Sequence, residues 1–77
     1  MNQANFCDII RHLHRYAEGG YVNCYDILLA SEIALRRKVS REETEEITKI
    51  LTDLGQLGGS EVDPSENINS VLKYRIL

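Results

Sequence analysis

The stretch Val39-Ser40-Arg41-Glu42-Glu43-Thr44-Glu45-Glu46-Ile47-Thr48-Lys49-Ile50-Leu51-Thr52-Asp53-Leu54-Gly55-Gln56-Leu57 decides how the chain is read. Ser40 followed by Glu43 has the capping-box spacing. The serine hydroxyl accepts from the third helical amide, and the glutamate reaches back to the cap amide. Beyond it, Ile47, Ile50, Leu51 and Leu54 fall at i, i+3, i+4 and i+7, one apolar stripe of a helix. Glu45 and Lys49 form an i,i+4 pair on the opposite, wet side. Gly55 stops the helix, since glycine takes the left-handed conformation a helix end wants.

Working back toward the N-terminus, a second helix is expected from Cys24 to about Lys38, capped by Asn23. Its apolar residues Ile27, Leu28, Leu29, Ala30, Ile33, Ala34 and Leu35 spread around most of the helical wheel. A helix apolar nearly all round is covered on more than one side. A chain of 77 residues has little with which to cover it. The surplus, with Tyr25 beside it, predicts a contact with a partner or a second copy. Leu29, Ile33 and Tyr25 are its candidate residues. Earlier still, Phe6, Ile9, Ile10, Leu13, Tyr16 and Ala17 mark a first helix, with Asn5 as expected N-cap and Gly19-Gly20 as its end. Tyr21-Val22 is a short extended pair.

Working forward, Ser60 to Val62 is expected as a strand, Asp63-Pro64-Ser65 as a turn, and Glu66 to Asn69 as a polar loop. Val71 to Leu77 alternates, with Leu72, Tyr74 and Ile76 on one face and Lys73 and Arg75 on the other, as in a half-buried strand. The expected fold is therefore mainly α with a small C-terminal β-hairpin, in one domain over residues 1–77.

Helix, short extended piece, helix, tight turn, helix and hairpin is an order that resembles the winged-helix (winged helix-turn-helix) family over residues 5–77. The quoted stretch resembles that family's capped third helix and its Leu-Gly exit into the wing. The resemblance implies a DNA-binding regulator whose third helix enters the major groove while the wing touches the backbone. The residues depart from that pattern. Glu42, Glu43, Glu45 and Glu46 would face phosphates, and each would be repelled. The wing adds Glu61, Asp63 and Glu66 and no cation.

Charge placement sharpens the contrast. Residues 1–41 carry a balance of +2, residues 42–77 one of −5, giving the net −3 of the chain. The cations cluster as Arg36-Arg37-Lys38 with Arg41 close behind, and Arg11 and Arg15 lie i,i+4 on the first helix. At a helix C-terminus such a cluster complements the macrodipole. It is also the candidate nucleic-acid-binding set. Two functions follow. The first is a non-catalytic interaction module, self-associating and regulatory, that meets a protein through Glu42, Glu45 and Glu46 on the third helix and the apolar second helix. The second is a small dimeric DNA-binding transcriptional regulator using Arg36, Arg37, Lys38 and Arg41. The charges favour the first.

Other chemistry is thinly represented. Cys7, His12, His14 and Cys24 match no common zinc spacing, so no metal is expected, and both cysteines are read as small core hydrophobes. No serine has a His/Asp arrangement, and Gly58-Gly59 lies in no phosphate-loop motif, so neither enzyme activity nor a cofactor is expected. The longest apolar run, Ile27 to Ala30, is far too short for a membrane span, and the N-terminus has no secretory signal pattern. With reduced thiols, this reads as a cytoplasmic chain.

Overall fold

A computed structural model describes residues 3–62 and 72–77. The chain runs α1 (Gln3–Tyr16), β1 (Tyr21–Asn23), α2 (Cys24–Leu35), α3 (Arg41–Asp53), β2 (Leu57–Val62) and β3 (Leu72–Ile76). It is mainly helical, with a small antiparallel sheet ordered β1-β3-β2. The short extended pair thus becomes an edge strand, with Val22 opposite Tyr74. The C-terminal strands belong to three-stranded pairing rather than to a free-standing hairpin. The expected turn at Asp63-Pro64-Ser65 and the loop Glu66 to Asn69 lie outside the described residues.

Each helix forms for a legible reason and stops for a different one. In α1 the whole expected stripe is inward: Ile9 and Leu13 are buried, and Phe6, Ile10, Tyr16 and Ala17 pack against the same core. The helix begins at Gln3, so Asn5 lies inside the first turn and is not its N-cap. Helix α2 is held at its start by a complete capping box. Asn23 Oδ1 accepts from the Asp26 amide at 2.8 Å, and the Asn23 amide donates to Asp26 Oδ2 at 3.0 Å. Its end comes at Leu35, three residues before the expected Lys38. Arg36 turns into the left-handed region at φ 56°, and the following turn is anchored by the Val39 amide donating to Glu32 Oε2 at 3.1 Å.

Helix α3 keeps half of its expected capping box. The Glu43 amide donates to Ser40 Oγ at 3.1 Å. The return half is displaced, because both Glu43 carboxylate oxygens accept from the Arg37 guanidinium, Oε1 at 2.9 Å from Nη1 and Oε2 from Nη2. The buried stripe also differs from the expected one. Thr44, Ile47, Thr48 and Leu51 are buried, Ile50 is half-buried, and Leu54 is 55% exposed beyond the last turn. Threonine can stand there because its hydroxyl is satisfied within the helix. Thr44, Thr48 and Thr52 each donate to the carbonyl four residues back, at 2.8 Å, which leaves their methyl groups for packing. Ser31 does the same in α2, donating to Ile27 O at 2.7 Å.

The core joins Ile9 and Leu13 of α1, Val22 of β1, Ile27 and Ala30 of α2, Val39, Ile47, Leu51 and Leu57. Tyr74 and Ile76 close it from β3, as the alternation predicts. Gly55, at φ 75°, reverses the chain after α3 and lets Leu57 return under that helix. Tyr21 is tied to the sheet, since the Arg75 guanidinium lies 5.5 Å from its ring centroid and Nη2 donates to its hydroxyl at 2.9 Å.

Candidate interaction surfaces

The outward side of α3 is charged along its length. Taking about 100° per residue, the direction opposite Thr44, Ile47, Thr48 and Leu51 carries Glu42, Glu46, Lys49 and Asp53, with Glu45 beside them. All five are exposed. Glu42, Glu45 and Glu46, singled out from sequence, therefore share one free face, and Asp53 extends it. Arg41 leans over Glu45, Nε to Oε1 at 3.8 Å, so Glu45 meets the cation four residues before it rather than the expected Lys49 four residues after. Glu43 does not belong to this face. Its bidentate hydrogen bond with Arg37 holds the carboxyl below the usual glutamate range, against the opposing effect of desolvation and helped by the Arg37 charge. The same bond raises Arg37.

The basic cluster consequently divides. Arg36, Lys38 and Arg41 are exposed, with the Arg41 side chain 93% accessible. Arg37 is consumed in the α2–α3 turn, where Nη1 also donates to the Lys38 carbonyl at 3.1 Å. Arg11 approaches Asp8 at 4.0 Å, and Arg15 is exposed on the outer side of α1.

The third surface is the outer ridge of α2. Ile27, Ala30 and Ser31 are buried. On the other side Tyr25 is 66% exposed, Ile33 46%, and Leu29 half-buried without joining the core. Leu28 is likewise half-buried and outside the core cluster. Tyr25, Leu29 and Ile33 lie at i, i+4 and i+8, so the sequence-derived candidates form one continuous ridge.

Two open grooves flank α3. One, of about 320 Å³, runs between α3, the start of α2 and β3, lined by Glu45, Lys49, Asp53, Cys24 and Tyr74 among others. Burial pushes the Tyr74 phenol up, and the neighbouring Cys24 adds to the shift. The other, of about 300 Å³, lies between α1 and α3, with Phe6, Ile47 and Ile50 set among Arg37, Glu43 and Glu46. Both cysteines are exposed, which corrects the expectation that they are core hydrophobes. Cys7 aligns with exposed Arg11 and His14 at i, i+4 and i+7, on the outer side of α1. Among the described residues no group of three or more His, Cys, Asp or Glu is placed to hold a metal ion. No described helix is long and apolar enough to cross a membrane.

Comparison of the chain with protein-family models, with curated proteins and with solved structures finds no match.

Proposed function

We propose that the chain is a non-catalytic, winged-helix-like interaction module that works through protein–protein contacts, self-associates, and acts as a regulatory component in the cytoplasm. The element order, and the antiparallel sheet in which the strand before α2 joins the last strand, support the winged-helix reading. The observation that carries the function is the outward face of α3. Where a groove-reading helix needs cations and neutral hydrogen-bonding groups, this one presents Glu42, Glu45, Glu46 and Asp53 around a single Lys49. A surface of that sign is repelled by a nucleic-acid backbone and attracts a partner with basic side chains.

One observation favours a DNA-binding regulator as the second reading: Arg36, Lys38 and Arg41 stand exposed together around the α2–α3 turn. The two readings separate in a binding titration against mixed-sequence duplex DNA at low and moderate salt. The interaction module shows no affinity at low salt. Reversing Glu42, Glu45 and Glu46 to lysine then creates non-specific affinity. Tight native binding overturns the proposal, provided it weakens with salt by a log–log slope of about −0.9 per neutralised phosphate.

A further inference from the structure

The incompletely buried apolar side chains of α3 lie beside its acids rather than among them. Ile50 is half-buried and Leu54 is 55% exposed, and neither belongs to the core. Ile50 and buried Ile47 line the groove of about 300 Å³ between α1 and α3, with Phe6 contributed by α1. Leu54 follows Ile50 at i+4 on the same side of α3. At about 100° per residue, the order around α3 from the groove outward is Leu54, Ile50, Glu46, Asp53, Glu42 and then Lys49. The acids therefore stand between the apolar strip and Lys49. Charge on this side is not cancelled. Glu43, the other acid of the groove, is matched by Arg37. Arg41 lies on the far flank, against Glu45. Arg36 and Lys38 stand at the α2–α3 turn, ahead of Glu42. Farther along α3, Glu46 and Asp53 have no ion-pair partner among the described residues. Residues 60–71 contain no Lys or Arg.

We infer that the groove between α1 and α3 receives a basic amphipathic helix of a different protein. The apolar stripe of that helix enters beside Phe6 and Ile50 and covers Leu54, while its Lys or Arg side chains meet Glu46 and Asp53. The inference rests on the reading of the outward face of α3 as a protein-binding surface, and it names the chemistry of the partner. Glu46 and Asp53 are seven residues apart, about 10 Å at 1.5 Å of rise per residue. Cations seven residues apart on a second helix lying alongside have the same spacing. Helices that bind in this way lay their apolar face into a groove and read it through anchors at i, i+3, i+4 and i+7. Nucleic acid and anionic lipid carry the wrong sign for Glu46 and Asp53. A second copy of this chain lacks the required element. Its α1 turns the apolar stripe into the core, its α2 has no Lys or Arg, and its α3 presents the same acids.

The probe is a labelled synthetic amphipathic helix of leucine and lysine, titrated against the full chain by fluorescence anisotropy. It should bind, and raised salt should weaken the binding, because opposite charges across the contact are screened. A peptide of the same charge with serine in place of leucine should bind about tenfold more weakly, since the groove then covers no apolar surface. Ile50→Gln combined with Leu54→Gln should cost a similar factor and leave the circular dichroism spectrum unchanged, because both residues lie outside the core. Glu46→Lys with Asp53→Lys should abolish binding at low salt, and Tyr25→Ser on α2 should change nothing. A second measurement needs no variant to fold. In the isotopically labelled wild type, the largest amide shifts on adding the peptide should fall at Phe6, Ile50 and Leu54. Absence of binding at low salt overturns the inference, and the DNA titration then judges the acidic face of α3 separately. Equal binding of the serine peptide, binding that survives the Ile50 and Leu54 changes, or shifts centred on α2 keeps an acidic surface for basic partners but overturns this groove.

Discussion

Two adjacent carboxyl-bearing positions in α3 have taken different work. Glu42 faces solvent, while Glu43, one residue on, is turned back to the α2–α3 turn and accepts both prongs of the Arg37 guanidinium. Such a fork fixes geometry as well as contributing attraction. A lowered carboxyl pKa means the folded chain holds its proton less tightly than the unfolded one. The pair's stabilisation is therefore fully present above the ordinary glutamate value of 4.5 and is lost as pH falls through the depressed folded value. Glu43→Gln should destabilise the chain at neutral pH, and the difference from the wild type should vanish in acid. Ser40→Ala removes only a neutral hydroxyl and should cost about 0.5–2 kcal/mol at either pH. Urea melts of both variants at pH 7 and in acid test this. Equal pH dependence would show that Glu43 serves α3 through the cap and not through Arg37.

At the scale of elements, the shortening of α2 sets the geometry of everything after it. Arg36 ends the helix at φ 56°, a conformation that crowds Cβ and costs a non-glycine residue about 1–2 kcal/mol. The turn survives because Glu32 and Arg37 bind it from both sides and because Val39 is buried beneath it. Arg36→Gly should relieve that crowding. The variant should melt higher, by up to about 1 kcal/mol after the extra entropy of unfolded glycine is subtracted. Thermal unfolding by circular dichroism reads it, and a lower melting temperature would mean that the Arg36 side chain contributes more than its backbone costs. The turn matters for function because it separates the exposed cations Arg36 and Lys38 from the acidic outer side of α3.

At the scale of the whole molecule, few residues hold many elements together. Leu51 is fully buried and sits in one cluster with residues of α1, β1 and α2. Leu51→Ala should cost about 2–5 kcal/mol through lost burial and the cavity left behind. A domain of this length has roughly 4–12 kcal/mol of total stability at about 0.05–0.15 kcal/mol per residue. The variant should therefore lose a large share of its stability, visible as a transition shifted well toward lower urea. A small shift would mean that the helices carry separate cores. The outer ridge of α2 is the counterpart of this economy, since Leu28, Leu29 and Ile33 stand outside the core that the described residues form.

The helices, their starts at Asn23 and Ser40, and the strand at the C-terminus were determined by local chemistry alone. Apolar spacing, cap residues and alternation act over a few positions and can be read in order along the chain. The sharing of one face by Glu42, Glu45 and Glu46, and the ridge of Tyr25, Leu29 and Ile33, were legible in the same way, because helical periodicity ranks exposure once the buried side is known. What only the tertiary structure decided depends on partners distant in sequence or on competition between neighbours. The Glu43 carboxylate turns to Arg37, which is brought within reach across the turn, while its amide stays on Ser40. Thr44 and Thr48 enter the core because their hydroxyls bond inside the helix while other elements close over their methyl groups. Cys7 falls outside because the other elements close over the opposite side of α1, leaving it in line with exposed Arg11 and His14. Tyr21–Asn23 becomes a strand only because β3 returns, some fifty residues later, to supply its hydrogen-bonding partner. A three-residue segment has no stability as a strand until that edge exists.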